Sequence, residues 1–226
     1  AAENGGACYE GVNNELNSDF NANNLWLANG GVAARVTISG SPTTLNTLAD
    51  WQSHMWHKFA AQVDQRSFSR DPAFANPAQN DYGLKSFGGR WRLYSAAQTN
   101  GYWSADPDRH SPCVDAGHPL YNDRLSYEPQ PNGGRMNMGA YGGTAYASKT
   151  HTNRFLLAMA PDYEQEPQKY QMILWNATGQ GWTGGDNLKI QYSVDGGTAW
   201  ENVVSSVPYS YGTHQWYRPS AAFAAT

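Results

Sequence analysis

Apolar and polar residues alternate along short segments in the last third of the chain. Tyr170–Ala177 and Leu188–Ser193 both follow this pattern. Successive side chains of a strand point to opposite faces, so a period of two predicts half-buried β-strands. Residue types and turn signals predict three more strands, at Arg154–Pro161, Trp200–Val204 and His214–Tyr217.

These five short strands indicate an immunoglobulin-like β-sandwich over residues 151–226. The turn at Asp195–Gly197, before the strand at Trp200, is a strong hairpin signal. An immunoglobulin-like fold has about seven strands, so we expect a sandwich that is incomplete within this sequence. The missing strands would come from a longer polypeptide or from a neighbouring chain, since strands can add to an open sheet edge.

The first two thirds of the chain follow other patterns. A strand is predicted at Val32–Gly40, and the apolar spacing of Leu45–Phe59 predicts the only real helix, about four turns long. Asparagines recur through residues 1–31, where they favour tight turns and, in stacked coils, align into hydrogen-bonded ladders. Prolines and glycines in residues 111–149 exclude a long helix or strand, so we expect an ordered loop that caps another element.

The composition also indicates an all-β protein. Among 226 residues, glycine (23), tyrosine (14) and tryptophan (9) are plentiful. Charged residues make up 15%, against about 25% in an average soluble domain. Turn formers and aromatic residues in place of Ala, Glu, Lys and Leu exclude a helical bundle or a coiled coil.

Charge and hydropathy narrow the classes of partner and compartment. The net charge of −4 offers no basic surface for a nucleic acid or an anionic membrane. No apolar run approaches the roughly 20 residues of a membrane helix, so no membrane insertion is expected. The composition is typical of a secreted chain, so we expect an extracellular or cell-surface location. Ala1–Asn4 lacks the basic and apolar regions of a signal peptide, so a mature chain or a fragment is expected.

Cysteines and histidines give little support for a metal centre. Cys8 and Cys113 either form one long-range disulfide or remain separate buried thiols. The sequence has no Cys-x-x-Cys motif or Cys/His cluster, which argues against structural zinc. His54 and His57 lie three apart on the predicted helix, but no third ligand is placed by the sequence, so an ordinary exposed or packed pair is favoured. No cofactor is expected, and a structural calcium ion is left open.

Three segments carry a distinctive residue pattern: Asp71–Phe74 with Asp81–Ser86, then Ser111–Gly117, then Glu128–Thr144. They resemble the DPxF…DYxLKS, SPCIDAG and EPxPNGGRINMGAYGGT elements at the C-terminal end of secreted bacterial, planctomycete-like right-handed parallel β-helix proteins. The likeness covers roughly residues 60–149. Residues 1–59 fit as the last coils, and residues 152–205 resemble an immunoglobulin-like module that often follows this ending.

The resemblance implies β-helix terminal coils and a cap over residues 1–150, then an immunoglobulin-like sandwich over residues 151–226. Each coil of a β-helix buries its face only against its neighbours, so the last coil needs a cap over its apolar end and strand edges. The cap residues implied are Asp115, Asn132, Arg135, Asn137 and Tyr141. Proteins of this kind are usually large and modular, so the expected partners are neighbouring domains of the same protein or further copies of the chain.

The acidic motifs do not assemble a catalytic site by sequence. Lyases and hydrolases on β-helices use carboxylates with a calcium ion and a basic residue, or paired aspartates. Here Asp106 and Asp108 lie in a loop before the cap, where turn formation is favoured, and Asp115 is expected to bond cap amides. Ser193–Trp200 is close to the Asp-box of sialidase-type propellers, but it occurs once, so a hairpin turn in which Asp195 bonds backbone amides is favoured. No catalytic residue is assigned.

Aromatic residues are the best ligand signal in the sequence. Exposed flat rings stack on sugar faces. The carbohydrate-binding candidates are Trp91, Tyr94, Tyr102 and Trp103, although packing against the side of the β-helix is the favoured alternative. The remaining tryptophans of the C-terminal region are expected in the sandwich core or at its edge: Trp175, Trp182, Trp200 and Trp216.

Three functions follow from these observations. The first is a non-catalytic structural or surface module of a larger secreted protein or a self-assembling fibre. The second is a carbohydrate-binding module with a polysaccharide as its partner. The third is a fragment of a β-helix polysaccharide lyase or glycoside hydrolase whose catalytic coils precede residue 1. The fold alone does not choose among them.

Overall fold

A computed structural model describes residues 6–12, 21–38, 40–59, 63–64, 66–93, 100–159 and 170–217. As predicted, these residues form mostly strands in small sheets, with one α-helix among them. The strands are β1 (Ala7–Val12), β2 (Val32–Ile38), β3 (Ser41–Leu45), β4 (Phe74–Asn76), β5 (Asp81–Leu84), β6 (Arg90–Arg92), β7 (Tyr102–Ser104), β8 (Phe155–Met159), β9 (Tyr170–Thr178), β10 (Asn187–Tyr192), β11 (Glu201–Pro208) and β12 (Thr213–Tyr217). The helix α1 spans Leu48–Phe59, and short 3-10 turns lie at Pro77–Gln79, Leu125–Tyr127 and Tyr209–Tyr211.

The N-terminal sheet has the order β1-β2-β3 and mixes two directions. Strands β1 and β2 are parallel, with Ala7 opposite Val32, 25 positions further along the chain. Strand β3 returns antiparallel on the other side of β2, with Leu45 opposite Ala34. The predicted strand at Val32–Gly40 therefore ends at Ile38, and Gly40, at a φ of 79°, forms the turn into β3.

Asparagines join the segment after β1 to the segment after α1. Asn24 forms a parallel bridge with Phe68, and its side chain bonds both main-chain groups of Arg70. Asn23 Nδ2 donates to the buried carboxylate of Asp64 over 3.0 Å, and Asn21 Oδ1 accepts from the Arg66 amide over 2.9 Å. Within the described residues, these asparagines bond a neighbouring segment and not one another, so they tie two passes of the chain together without the expected ladder.

The helix α1 starts three positions after the predicted Leu45. Thr47 and Asp50 form a reciprocal cap, with each backbone amide donating to the other's side chain over 3.0 Å. This cap satisfies helix-terminal amides and sets the first residue of the helix. Trp51 and Met55 are buried against β2 and β3 in the first hydrophobic cluster.

The segment from 111 to 150 is irregular, as predicted, apart from one 3-10 turn. It is nevertheless ordered by main-chain hydrogen bonds: Gly117 N donates to Met136 O over 2.8 Å, and Met138 N donates to Cys113 O over 2.9 Å. Gly88 lies so close to this segment that an added Cβ would sit 1.8 Å from Thr150 O. The end of the segment therefore lies in close backbone contact with the turn between β5 and β6, where Lys149 N also donates to Gly89 O over 2.8 Å.

All five strands predicted in the C-terminal region are present. Strands β12, β9 and β8 form one antiparallel sheet with β9 in the centre, and β10 and β11 form an antiparallel hairpin. Strand β11 extends to Pro208, beyond the predicted end at Val204. The hairpin turn lies at residues 193–199, where the sequence placed it.

The second hydrophobic cluster crosses the expected domain boundary at residue 150. Phe68, Leu84 and Cys113 lie before that boundary, and Met159 and Leu174 lie after it. Asn176 also donates from Nδ2 to Val114 O over 3.0 Å, and its side chain is buried. The first strands of the C-terminal region thus pack directly on the ordered segment 111–150.

Two features bear on compartment and covalent links. The described part of the chain has no helix with the length and apolar character that crossing a bilayer requires. Cys8 is half-buried and Cys113 is buried, and both are free thiols. Of the two alternatives that the sequence left open, the structure therefore shows separate thiols.

Candidate functional site

A groove of about 490 Å³ lies beside the hairpin β6–β7. Two of the four aromatic candidates, Trp91 and Tyr102, line it. Trp103 lies outside the groove lining, and Tyr94 lies outside the described residues. The groove also takes in Tyr146 from the segment 111–150, which the sequence analysis did not single out.

The register of β6 and β7 sets which side chains share a face, and the groove takes in side chains from both faces. Trp91 lies opposite Trp103, whereas Arg90 and Arg92 lie opposite Ser104 and Tyr102. Directly opposite residues share a face of an antiparallel pair, and neighbours along a strand take opposite faces. The two arginines and Tyr102 therefore share one face, and the tryptophan pair takes the other.

The tryptophan pair is held by packing. The rings of Trp91 and Trp103 meet edge to face with centroids 5.5 Å apart, and Tyr146 lies 5.7 Å from Trp91. Lys149 Nζ covers the Trp103 ring at 4.5 Å, and a Cβ on Gly101 would sit 2.2 Å from the Trp91 ring. Trp103 thus follows the packing alternative, whereas Trp91 packs on one side and still borders the groove.

A row of alternating charges runs along the polar wall of the groove; Asp81, Arg90 and Arg92 line the groove, and Asp106 pairs with both arginines from outside the lining. Asp81 Oδ2 accepts from Arg90 Nη1 over 2.8 Å, and Arg90 Nε lies 3.3 Å from Asp106 Oδ2. Asp106 Oδ1 in turn accepts from Arg92 Nη2 over 2.9 Å. Arg90 and Asp106 are buried, whereas 40% of the Asp81 side chain is exposed.

This row adds a further role for Asp106, since the expected turn is present at residues 107–108. The sequence placed Asp106 and Asp108 in a loop and favoured a turn for both. Asp108 is exposed and pairs with Lys85 Nζ over 2.8 Å, but Asp106 is buried and holds both groove arginines and the amide of Ser86. Arg90 and Arg92 were missed because their partners are distant in sequence, although their alternation around Trp91 indicates that they share a face.

Three of the five expected cap residues form a network of buried bonds. Asp115 accepts from the Gly133 amide over 3.0 Å and from the Thr150 hydroxyl, and its own amide donates to Asn137 Oδ1 over 2.7 Å. Asn137 Nδ2 donates to Ser148 O over 2.6 Å. Arg135 donates to the carbonyls of residues 116 and 117.

The other two expected cap residues lie at the surface of that network. Asn132 is half-buried and accepts from the amide of Gly134, two residues on, over 3.4 Å. Tyr141 is exposed, and its ring borders the groove. Tyr141 therefore belongs with the groove, and the network has in its place a residue that was not singled out: Glu128, whose Oε1 accepts from the amides of Asn137 and Gly143 over 2.8 Å.

Burial shifts the pKa of several groups around the cap. Burial raises the pKa of Asp115 from 3.8 to about 6, against the lowering effect of its bonds from Thr150 and Gly133. Burial also raises the pKa of Glu128, against the two amides that it accepts from. Burial and the neighbouring His151 lower the pKa of His110 to about 4, so this ring is neutral near pH 7.

The remaining sequence candidates have local structural roles. His57 Nδ1 lies 2.8 Å from Ser53 O, within its own helix, and burial lowers the pKa of His54. Asp195 accepts from the Ala199 amide over 2.9 Å and from the Ser193 hydroxyl over 2.7 Å, as the turn interpretation expects. Trp200 is 59% exposed, which excludes a place in the core. In the described ranges, no three His, Cys, Asp or Glu side chains are grouped so that they could hold a metal ion.

Comparison with known proteins adds no relative. The chain matches no family model, no curated protein and no solved structure. The likeness to β-helix proteins therefore depends on three residue patterns alone, those of Asp71–Ser86, Ser111–Gly117 and Glu128–Thr144.

Proposed function

We propose that this chain is a non-catalytic structural module of a larger secreted or cell-surface protein, or of a self-assembling fibre. On this proposal, residues 1–150 are the terminal coils and cap of a right-handed parallel β-helix, and residues 151–226 are an immunoglobulin-like sandwich that is incomplete within this sequence. The three resembling segments support it, as does the parallel pairing of β1 with β2.

The observation that carries the proposal is the use of the charged cap residues. Glu128 Oε1 and the Arg135 guanidinium bond backbone groups of the cap, and Asp115 bonds the Gly133 amide and the Thr150 hydroxyl. A general acid or base has to reach the proton that it transfers, within hydrogen-bond distance of a substrate. Asp115 and Glu128 are buried instead, at 1% and 4% exposure, so they shape the loop.

The edge of the N-terminal sheet supports an assembly partner. In the described sheet, β1 is the edge strand and pairs with β2. Edge strands are common sites for pairing with a further strand. A preceding coil of the same polypeptide, or a further copy of the chain, fits this edge. Head-to-tail addition of copies would build an open filament.

Two measurements on the chain as given test this function. We expect no unsaturated uronate product and no reducing-sugar release from polygalacturonate, alginate or a β-glucan. We also expect the sedimentation coefficient to increase with protein concentration, because copies of the chain associate. Turnover that disappears in an Asp115→Asn variant with an unchanged melting temperature would contradict the non-catalytic role. A monodisperse monomer with a sharp cooperative melt would contradict the assembly.

A second candidate, carbohydrate binding, is favoured by one specific observation. The groove beside β6–β7 combines rings with a polar wall, and its 490 Å³ lies within the roughly 300–1,000 Å³ typical of ligand pockets. Both functions are compatible, because a surface module can hold a glycan without acting on it. A glycan array tests this candidate, and the absence of binding to plant, algal and bacterial polysaccharides would remove it.

A further inference from the structure

Three charged groups line the groove, Asp81, Arg90 and Arg92, and the buried Asp106 outside the lining completes their charge balance. Asp81 and Asp106 are each matched by a guanidinium group, with Arg90 between them and Arg92 at the end. Two aspartates and two arginines sum to zero. An anionic ligand would have to take an arginine from its carboxylate, which would leave that carboxylate without its partner at a high cost. The half-exposed Asp81 and the net charge of −4 further oppose an acidic polymer.

The polar atoms at the groove include both donors and acceptors. Asp81 supplies carboxylate oxygens, Arg92 supplies N–H groups, and Asn80 supplies an amide with both. A sugar hydroxyl is a donor and an acceptor at once, so it can match either kind of atom. A carboxylate or sulfate offers acceptors only, which the exposed oxygens of Asp81 would repel.

The apolar side of the groove suits the C–H faces of a sugar ring. Tyr146 is 53% exposed and Tyr141 is 37% exposed, and both border the groove with Tyr102. Rings of this kind bury apolar area and keep a hydroxyl at the edge for a hydrogen bond. Aromatic walls with a neutral, paired polar wall are complementary to an uncharged polyol.

We propose that this groove binds a neutral glycan and discriminates against glycans that carry uronate or sulfate groups. The proposal rests on the carbohydrate-binding candidate above and adds the class of ligand. It also separates this chain from lyase chemistry, which acts on acidic polymers.

The test compares two polymers with the same backbone linkage. Polygalacturonate and its carboxyl-reduced form share a backbone and differ at C6, where a hydroxymethyl group replaces the carboxylate; laminarin and galactomannan extend the neutral set. We expect calorimetric binding to a neutral polymer and at least about tenfold weaker binding to the acidic ones, a factor worth about 1.4 kcal/mol. The dissociation constant for the neutral polymer should stay nearly constant from about 0.01 M to about 1 M salt, because the ligand carries no charge for salt to screen.

Variants show whether the groove is the binding site, and the choice of polymers separates carbohydrate binding from the preference for neutral ligands. Tyr146→Ala removes an exposed ring and should weaken neutral binding about tenfold. Trp200→Ala is the matched control, since it removes an equally exposed ring outside the groove. Tighter binding to polygalacturonate than to its reduced form would overturn the preference for neutral ligands but keep carbohydrate binding. Binding to none of these polymers, or an equal loss in both variants, would overturn both.

Discussion

Asn24 pairs with Arg70 as one strand pairs with the next: its Nδ2 donates to the Arg70 carbonyl over 2.8 Å and its Oδ1 accepts from the Arg70 amide over 3.0 Å. The side-chain amide of Asn24 thus takes the place that the N–H and C=O groups of one residue would have in a pair of strands. Since Nδ2 also lies 3.1 Å from Cys113 Sγ, the same side chain connects three passes of the chain.

Replacement of this side chain should be costly. Asn24→Ala removes both partners of the Arg70 backbone, and since these bonds are only partly buried we expect the unfolding free energy to fall by about 1 kcal/mol. Urea denaturation measures the change. Asn187→Ala is the control, because Asn187 is exposed and bonds only Gly185, two residues away. Equal stability of the two variants would show that the Asn24 pairing contributes nothing.

Gly88 offers a test of the close approach between the turn before β6 and the cap. In Gly88→Ala the new Cβ would lie 1.8 Å from the carbonyl oxygen of Thr150, which is backbone and has to move. We expect a loss of about 3 kcal/mol, the upper range for overpacking. Gly184→Ala meets nothing within 4 Å and should change stability by less than about 0.5 kcal/mol. A Gly88→Ala protein as stable as Gly184→Ala would contradict the close contact.

The pKa shifts of Asp115 and His110 give stability two opposite dependences on pH. The pKa of Asp115 is raised from 3.8 to about 6, so the folded state keeps a proton that the unfolded chain releases, and stability falls as pH rises from about 4 to about 6. The pKa of His110 is lowered from 6.5 to about 4, so the unfolded chain takes up a proton first, and stability falls as pH falls from about 6.5 to about 4. The two contributions oppose each other between about pH 4 and 6.

Without the opposing contribution of His110, the pH dependence that Asp115 gives to stability should become measurable. In His110→Gln we expect the melting temperature to fall by at least about 3 °C between pH 4 and pH 6, relative to the wild type over the same interval. His57→Gln, on the exposed side of α1, should keep the wild-type profile. Thermal melts followed by circular dichroism measure both. Parallel profiles for all three proteins would mean that His110 does not oppose Asp115.

The cysteines should react at different rates and should not be linked. Burial raises the pKa of Cys113 to about 11, and its bonds from Asn24 and Ser111 lower it less, so little thiolate forms at neutral pH. Cys8 is half-buried, and we expect iodoacetamide to label it in the folded protein and to label Cys113 only after unfolding. Mass spectrometry of peptides gives both rates. A Cys8–Cys113 linked peptide in a non-reducing digest would contradict the free thiols.

The sequence predicted the C-terminal strands well because their patterns are local. Alternation in Tyr170–Ala177 and the Asp195–Gly197 turn need no knowledge of distant residues. Strand β3 was missed because its residues, SPTTL, are polar, and its strand form depends on pairing with β2. A helix start at Leu45 was wrong for the same reason, since Leu45 pairs with Ala34.

The site was predicted in part. Trp91 and Tyr102 border the groove, but the charges that define it come from three separate segments, at Asp81, Arg90–Arg92 and Asp106. No short sequence spacing joins those segments, so the ion pairs could not be predicted from the sequence. The structural role of Asp115 was predicted, whereas its partner Thr150 lies 35 positions away and was not.

The shared cluster around Met159 and Leu174 has a consequence for anyone who wishes to shorten or recombine this protein. Their apolar side chains pack in one core with Phe68 and Leu84, so a chain divided after residue 150 would expose apolar surface on each part. A recombined protein would therefore have to keep strands β8 and β9 together with the preceding segment.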